Sequence, residues 1–171
     1  MKNLTAAFAA AVTLYGAAQA GEDAFTTGPV FDDYGPVAAV DVTRDLPEEF
    51  SVKHSFDVSK RDENGGLNRT LVSAARFINM HARAGVPVEN MSLAVVVHGA
   101  AVKDVSTPDA GDNAALIAAL TGEGARVIVC GQSAAYYDVA TEDLLPGVEM
   151  ALSAMTAHAM LQQDGYTVNP F

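Results

Sequence analysis

Five side chains stand out for covalent or acid–base chemistry: one cysteine, Cys130, and four histidines. Two of the five occupy comparable places. His98 directly follows the apolar run 93–97, and Cys130 directly follows the apolar run 125–129. In an open parallel sheet, ligands bind beyond the carboxyl ends of the strands, so neighbouring strands would put these side chains on one rim. Gly131 comes next and a short helix is predicted from near Ser133, so free backbone N–H groups and positive potential would favour thiolate over thiol. Gly131 also permits a tight strand-to-helix turn and close approach of a bound sulfur species or anion. The opposing reading of Cys130 is a small buried hydrophobe, and that of His98 a partly buried imidazole bonded to backbone. Tyr136 and Tyr137 follow on the same short helix; one could close a pocket, or both could pack between subunits.

Other chemistry is poorly supported. There is no HExxH, no CxxC and no closely spaced histidine pair, which argues against a zinc centre within one subunit. Neither GxGxxG nor GxxxxGK occurs, and no GxSxG motif marks a nucleophilic serine. Asn79 and His81 lie on a predicted helix, His81 reading as solvated, while Asn113 starts or caps its own helix. His158 sits on a helix whose Met155, Ala159 and Leu161 suggest core or interface packing, and His54 lies in a strand. The acidic residues are scattered singly and read as a solvated surface.

Positioning these residues takes a folded α/β domain. The chain has 171 residues, half of them hydrophobic, which suits a single core. Its net charge of −11 disfavours wrapping of nucleic acid and binding to anionic membranes. One cysteine excludes an intramolecular disulfide framework. Strands are predicted over 37–42 (short), 50–58, 93–97, 125–129 and 148–152. Helices are predicted over 67–84, over 113–120 with Asp112 as N-cap, from near Ser133, and from the cap Ser153 to Gln163. Residues 103–112 read as loop, and 166–171 as a terminal strand or arm. The alternation implies right-handed crossovers and a mainly parallel sheet of about five strands in a three-layer sandwich.

Residues 1–20 read as a signal peptide: Lys2 in the n-region, an apolar stretch over 4–15, and Ala18-Gln19-Ala20 as the cleavage site. Removing 20 of 171 residues leaves 151, and without Lys2 the balance is 9 basic against 21 acidic, or −12. Residues 21–49, with Gly28-Pro29 and Gly35-Pro36, form an N-terminal arm, and 50–171 form the α/β domain. The expected product is periplasmic or secreted, with no stable membrane insertion after cleavage and no nucleic-acid partner.

Several blocks together resemble the DsrE/DsrF-like family, and more closely its exported branch of small bacterial proteins. They are Val95-Val96-Val97-His98-Gly99, Asn113 with its helix, Val127-Ile128-Val129-Cys130-Gly131-Gln132-Ser133, Leu145-Pro146-Gly147-Val148 and Ser153-Ala154-Met155-Thr156. The resemblance runs from about Val52 to Phe171. It implies an α/β sandwich assembled into dimers, trimers or hexamers. It also implies a cysteine that accepts sulfane sulfur as a persulfide and passes it on; Cys130 matches that residue, and His98 the histidine ending the preceding strand. On this basis the expectation is an exported sulfur carrier or relay, enzymatic only in the sense of a sulfurtransferase and needing no cofactor. His98 would orient the sulfur or exchange a proton. Gln132 or Ser133 would donate hydrogen bonds, and Gly99, Gly131 and Asn113 would support the turns. Its partner would be a thiol- or persulfide-bearing protein or a small sulfur compound. The competing expectation is a non-enzymatic oligomeric binding module that holds a small ligand or metal at the rim.

Overall fold

The computed structural model describes residues 21–169. The expected signal peptide and the last two residues lie outside this span. Five strands form one parallel sheet: β1 (Val52–Val58), β2 (Met91–Val97), β3 (Arg126–Cys130), β4 (Val148–Ala151) and β5 (Thr167–Val168). Their order is β4-β3-β2-β1-β5, so β2 and β3, the strands leading to His98 and Cys130, are direct neighbours. Between the strands run α1 (Arg69–Arg83), α2 (Asn113–Gly122), α3 (Gly131–Tyr136) and α4 (Ala154–Gln163).

Strand alternation sorts the core into two layers. Phe56, Val58, Val95, Val97, Val127 and Val129 face α1 and α2, meeting Leu71, Ala74, Ala75, Ile78, Leu116 and Leu120. The opposite face carries Ala94, Val96 and Ile128 against Ala157 and Leu161 of α4. Because both faces are covered, β2 is apolar at six of its seven positions and not alternating. Helix α1 buries positions at the i, i+3, i+4, i+7 spacing and is capped by Asn68, whose side chain accepts from Thr70 N. Ser153 caps α4 as expected, accepting from Thr156 N at 3.1 Å.

Several local expectations are corrected. No strand forms over 37–42. Val37 makes one antiparallel bridge with Thr26, and Val40 and Val42 stay exposed because no sheet edge lies beside them to complete a ladder. The loop expected after 103 begins inside a 3-10 segment, Gly99–Val105, wound tightly enough to bury Ala101, Val102 and Val105. Asp112 makes no side-chain cap; its backbone is already helical, and an N-cap needs an extended one. Helix α3 starts at Gly131, two residues before the predicted start, so Cys130 is at once the last strand residue and the helix N-cap position.

The N-terminal arm is stitched to α1 by three side chains, Arg76, Asn79 and Arg83, the first donating to Pro36 O at 3.1 Å. Asn79 Oδ1 accepts from Val30 N and Phe31 N at 3.0 and 2.9 Å, and its Nδ2 donates to Phe31 O, Tyr34 O and Gly35 O. Arg83 donates to the carbonyls of Val37, Thr27 and Gly28. His81 is half-buried where a solvated ring was expected: it packs 4.1 Å from the ring of Phe77 and stacks on Phe50, and its Nδ1 bonds Phe77 O.

Candidate functional site

Strands β2 and β3 pair in register through Val97 and Val129, so one step further His98 and Cys130 stand side by side at the carboxyl rim. Both lie two residues beyond buried members of the α4 face, Val96 and Ile128, and therefore point to that face. On β1, Asp57 pairs with Val96 and shares the face. The rim thus reads Asp57, His98, Cys130 across three adjacent strands, with α4 above it.

Cys130 is 5% exposed. Burial pushes its thiol pKa up, but hydrogen bonds from the Ser133 hydroxyl and from the backbone N–H groups of Ser133, Ala154 and Gln132 outweigh burial, and the net shift is downward from 9.0. Two helix starts therefore converge on one sulfur: the first turn of α3 and the first residue of α4. Two glycines make this possible. A Cβ on Gly131 would sit 2.8 Å from Ala151 O, so only glycine lets the end of β4 come this close. Gly99, at φ +55, would place a Cβ 2.7 Å from Ser59 O. Its N–H donates to Ser133 Oγ at 3.0 Å, which leaves the Ser133 hydroxyl proton to the sulfur. Gln132 Nε2 reaches Leu152 O at 3.4 Å beside the same turn.

Removing the Ser133 hydroxyl has a signed consequence. Ser133→Ala is expected to move the thiol pKa back up toward 9.0 and to slow alkylation of Cys130 near neutral pH severalfold, because less of it is thiolate. The pH dependence of iodoacetamide modification measures it. Since the folded thiol ionises more readily than the unfolded one, its contribution to stability is full above about pH 9 and is lost as pH falls through the lowered folded value. That slope shrinks in Ser133→Ala.

His98 bonds elsewhere than to the sulfur. Its Nε2 lies 3.0 Å from Asp57 Oδ2, and His158 Nε2, from α4, lies 2.8 Å from Asp57 Oδ1. Burial pushes the Asp57 carboxyl up, but the two imidazole hydrogen bonds and their charges hold it below the usual value. Asp57 is not among the residues expected at the site, and His158, expected to pack in the core or an interface, bonds it instead. The available signal was a lone carboxylate between apolar residues, Phe56 and Val58, near a strand end.

The remaining candidates separate. Tyr136 is 81% exposed, whereas Tyr137 packs against the core, the rings meeting edge-on at 4.9 Å. Asn113 belongs to the other side of the sheet: its Oδ1 accepts from Asn68 N at 2.7 Å, tying the start of α2 to that of α1. Asn68 in turn donates to buried Asp104, which pairs with Arg61 at 2.7 Å, a polar network that scattered acidic residues did not reveal. A cleft of about 790 Å³ opens beside Asp57, lined by Lys60, Arg61 and Arg69 among others. Another of about 370 Å³ runs past Met150 and Leu152 between β4 and α4. Among the described residues no group of three or more His, Cys, Asp or Glu side chains is arranged to hold a metal ion, and no helix is long and apolar enough to cross a membrane.

A parallel five-stranded sheet covered by helices on both faces, with a hydrogen-bonded thiol at its carboxyl rim, defines a class of small α/β proteins. The sequence profile of the DsrE/DsrF-like family matches residues 53–170, and the chain belongs to that family. The fold is similar to a solved structure described as a protein of unknown function, MTH1491, from Methanobacterium thermoautotrophicum. The two are 21% identical with a TM-score of 0.57, over 70% of this chain and 98% of the other. No curated protein matches the chain.

Proposed function

We propose that the protein is a sulfur carrier that holds sulfane sulfur as a persulfide on Cys130. The observation that carries this reading is the setting of the sulfur: the thiol stands at the ligand-binding end of the sheet, where the Ser133 hydroxyl and the backbone N–H groups of Ser133, Ala154 and Gln132 favour its ionised form. Such a set stabilises an anionic sulfur, and a persulfide extends that anion by one atom. The cysteine of a small hydrophobic core would need none of these donors. Family membership supports the same reading at the level of sulfur relay. Exposed Tyr136, Leu152 and Met155 lie within a few residues of the thiol and its donors and supply apolar area for a thiol- or persulfide-bearing partner. The signal-like segment over 1–20 supports a periplasmic or secreted setting, and the acidic charge fits a protein partner or small sulfur compound better than RNA. Assembly into a homo-oligomer is part of the proposal.

Incubation of the reduced protein with polysulfide should add about 32 Da, one sulfur atom, to the Cys130 peptide, reversibly with dithiothreitol. Cys130→Ser should gain nothing. Absence of the added mass in wild-type protein whose thiol is shown by alkylation to be free overturns the proposal.

A further inference from the structure

We propose that the cleft at the carboxyl end of β1, about 790 Å³ in volume, binds a small molecule carrying at least two oxyanion groups. Cys130 does not line this cleft, and binding there does not depend on the sulfur chemistry. Parallel sheets take ligands at this end. Pockets of about 300–1,000 Å³ hold small molecules, so the space is far too large for a single ion.

The cleft gathers cations in a chain that has few. The sequence carries 10 basic residues against 21 acidic ones, and Lys60, Arg61 and Arg69 line this one space. Elsewhere the cations are already used: Lys103 and Arg126 pair with Asp109 and Glu149, and Lys53, Arg76 and Arg83 donate to backbone carbonyls. Among the described residues only Arg44, Lys60 and Arg69 have a cationic group with no hydrogen bond or ion pair, and the last two face each other across the cleft's lining. Arg61 is held in place: its Nε donates to Asp104 at 2.7 Å and its Nη2 to Asp109 O at 2.8 Å. A guanidinium has five N–H groups, so a fixed Arg61 still has donors to offer a ligand.

The acceptors lining the cleft are mostly spent. Each oxygen of Asp57 bonds an imidazole, and Asp62 Oδ1 accepts from Asn64 N and Gly66 N. Glu63 is the one lining carboxylate left without a bond among the described residues. Free charged donors therefore exceed free acceptors, and such a surplus selects an acceptor-rich anion. Helix α1 adds to it, since its first turn carries no acidic residue to offset the positive end of its dipole. Cations on both the loop after β1 and the start of α1 call for more than one anionic group. A long polyanion is disfavoured by the net charge of −11, which leaves a small molecule.

Calorimetric titration of the whole chain with pyrophosphate and, separately, with citrate tests this. At about 0.1 M salt, charges more than about 10 Å from the ligand are largely screened. At least one probe should bind saturably at one site, and Lys60→Gln and Arg69→Gln should each weaken it about fivefold or more. Arg44→Gln removes the same charge from an exposed arginine outside the cleft and should weaken it less than about twofold. Lys60 and Arg69 hold no other group through their charges, so both variants should melt with wild type when no probe is present. Binding of pyrophosphate alone assigns the site to phosphates, and of citrate alone to carboxylates. No saturation by either probe up to about 10 mM, or an equal loss of affinity in Arg44→Gln, overturns the inference.

Discussion

Asn79→Ala should cost about 3 kcal/mol of stability and free the N-terminal arm. The amide of Asn79 is completely buried and makes five hydrogen bonds to arm backbone between Val30 and Gly35. The Val30 and Phe31 N–H groups depend on it, so truncation strands them away from water. Each buried unpaired group costs about 1–3 kcal/mol, and the arm will lift off before all of those costs accumulate. Lifting exposes Phe31 and Val37, which sets the ceiling on the loss. Asn79→Asp should do no better, because it keeps the acceptor, loses the donors and buries a charge. Urea denaturation measures the stability, and limited proteolysis should cut within 21–49 in the variant only. A variant as stable and as resistant as wild type would show that Arg76 and Arg83 suffice to secure the arm.

Gly131→Ala should lower stability by about 2–3 kcal/mol and dismantle the thiol's surroundings at the same time. The added methyl meets two backbone carbonyls, 2.8 Å to Ala151 O and 3.3 Å to Leu152 O. Neither is a flexible side-chain end, so the strand itself must move, and overpacking of this kind costs about 1–3 kcal/mol. The displaced segment holds the Cys130–Ala151 pairing and leads into Ala154, a donor to the sulfur. The thiol pKa should therefore rise and alkylation slow. Gly122→Ala, in α2, is the matched control: a Cβ there meets nothing within 4 Å. It should stabilise by up to about 1 kcal/mol through the unfolded chain and leave the thiol untouched. Equal melting temperatures for the two variants would refute the packing argument.

The two predictions sit on opposite sides of what can be read in a linear chain. Gly131 was recognisable, because a glycine after a strand-ending cysteine and before a helix has few other uses. Asn79 was not: its partners lie 44 to 49 residues away in an irregular arm, and a helical asparagine carries no local mark of them. The same divide runs through the rim. His98 and Cys130 could be paired in advance, since each follows an apolar run and adjacent strands bring such ends together. Asp57 and His158 are 101 residues apart and meet only because α4 packs back over β2 and β3, beside the β1 strand that carries Asp57.

The one cysteine, the alternation of buried strands and helices, the cap at Ser153 and the glycine turns are written in the sequence, because each depends on neighbours a few residues away. Those local rules are enough to fix the α/β class and to put Cys130 at a strand end. Strand order, the face that each rim residue shares, and the direction in which the His98 ring points were decided by tertiary packing. Covering both sides of the sheet forces α4 onto the face of Cys130, and with it come the Ala154 donor and the imidazole of His158. The chemistry around Cys130 thus follows from long-range burial, which no window of the sequence contains.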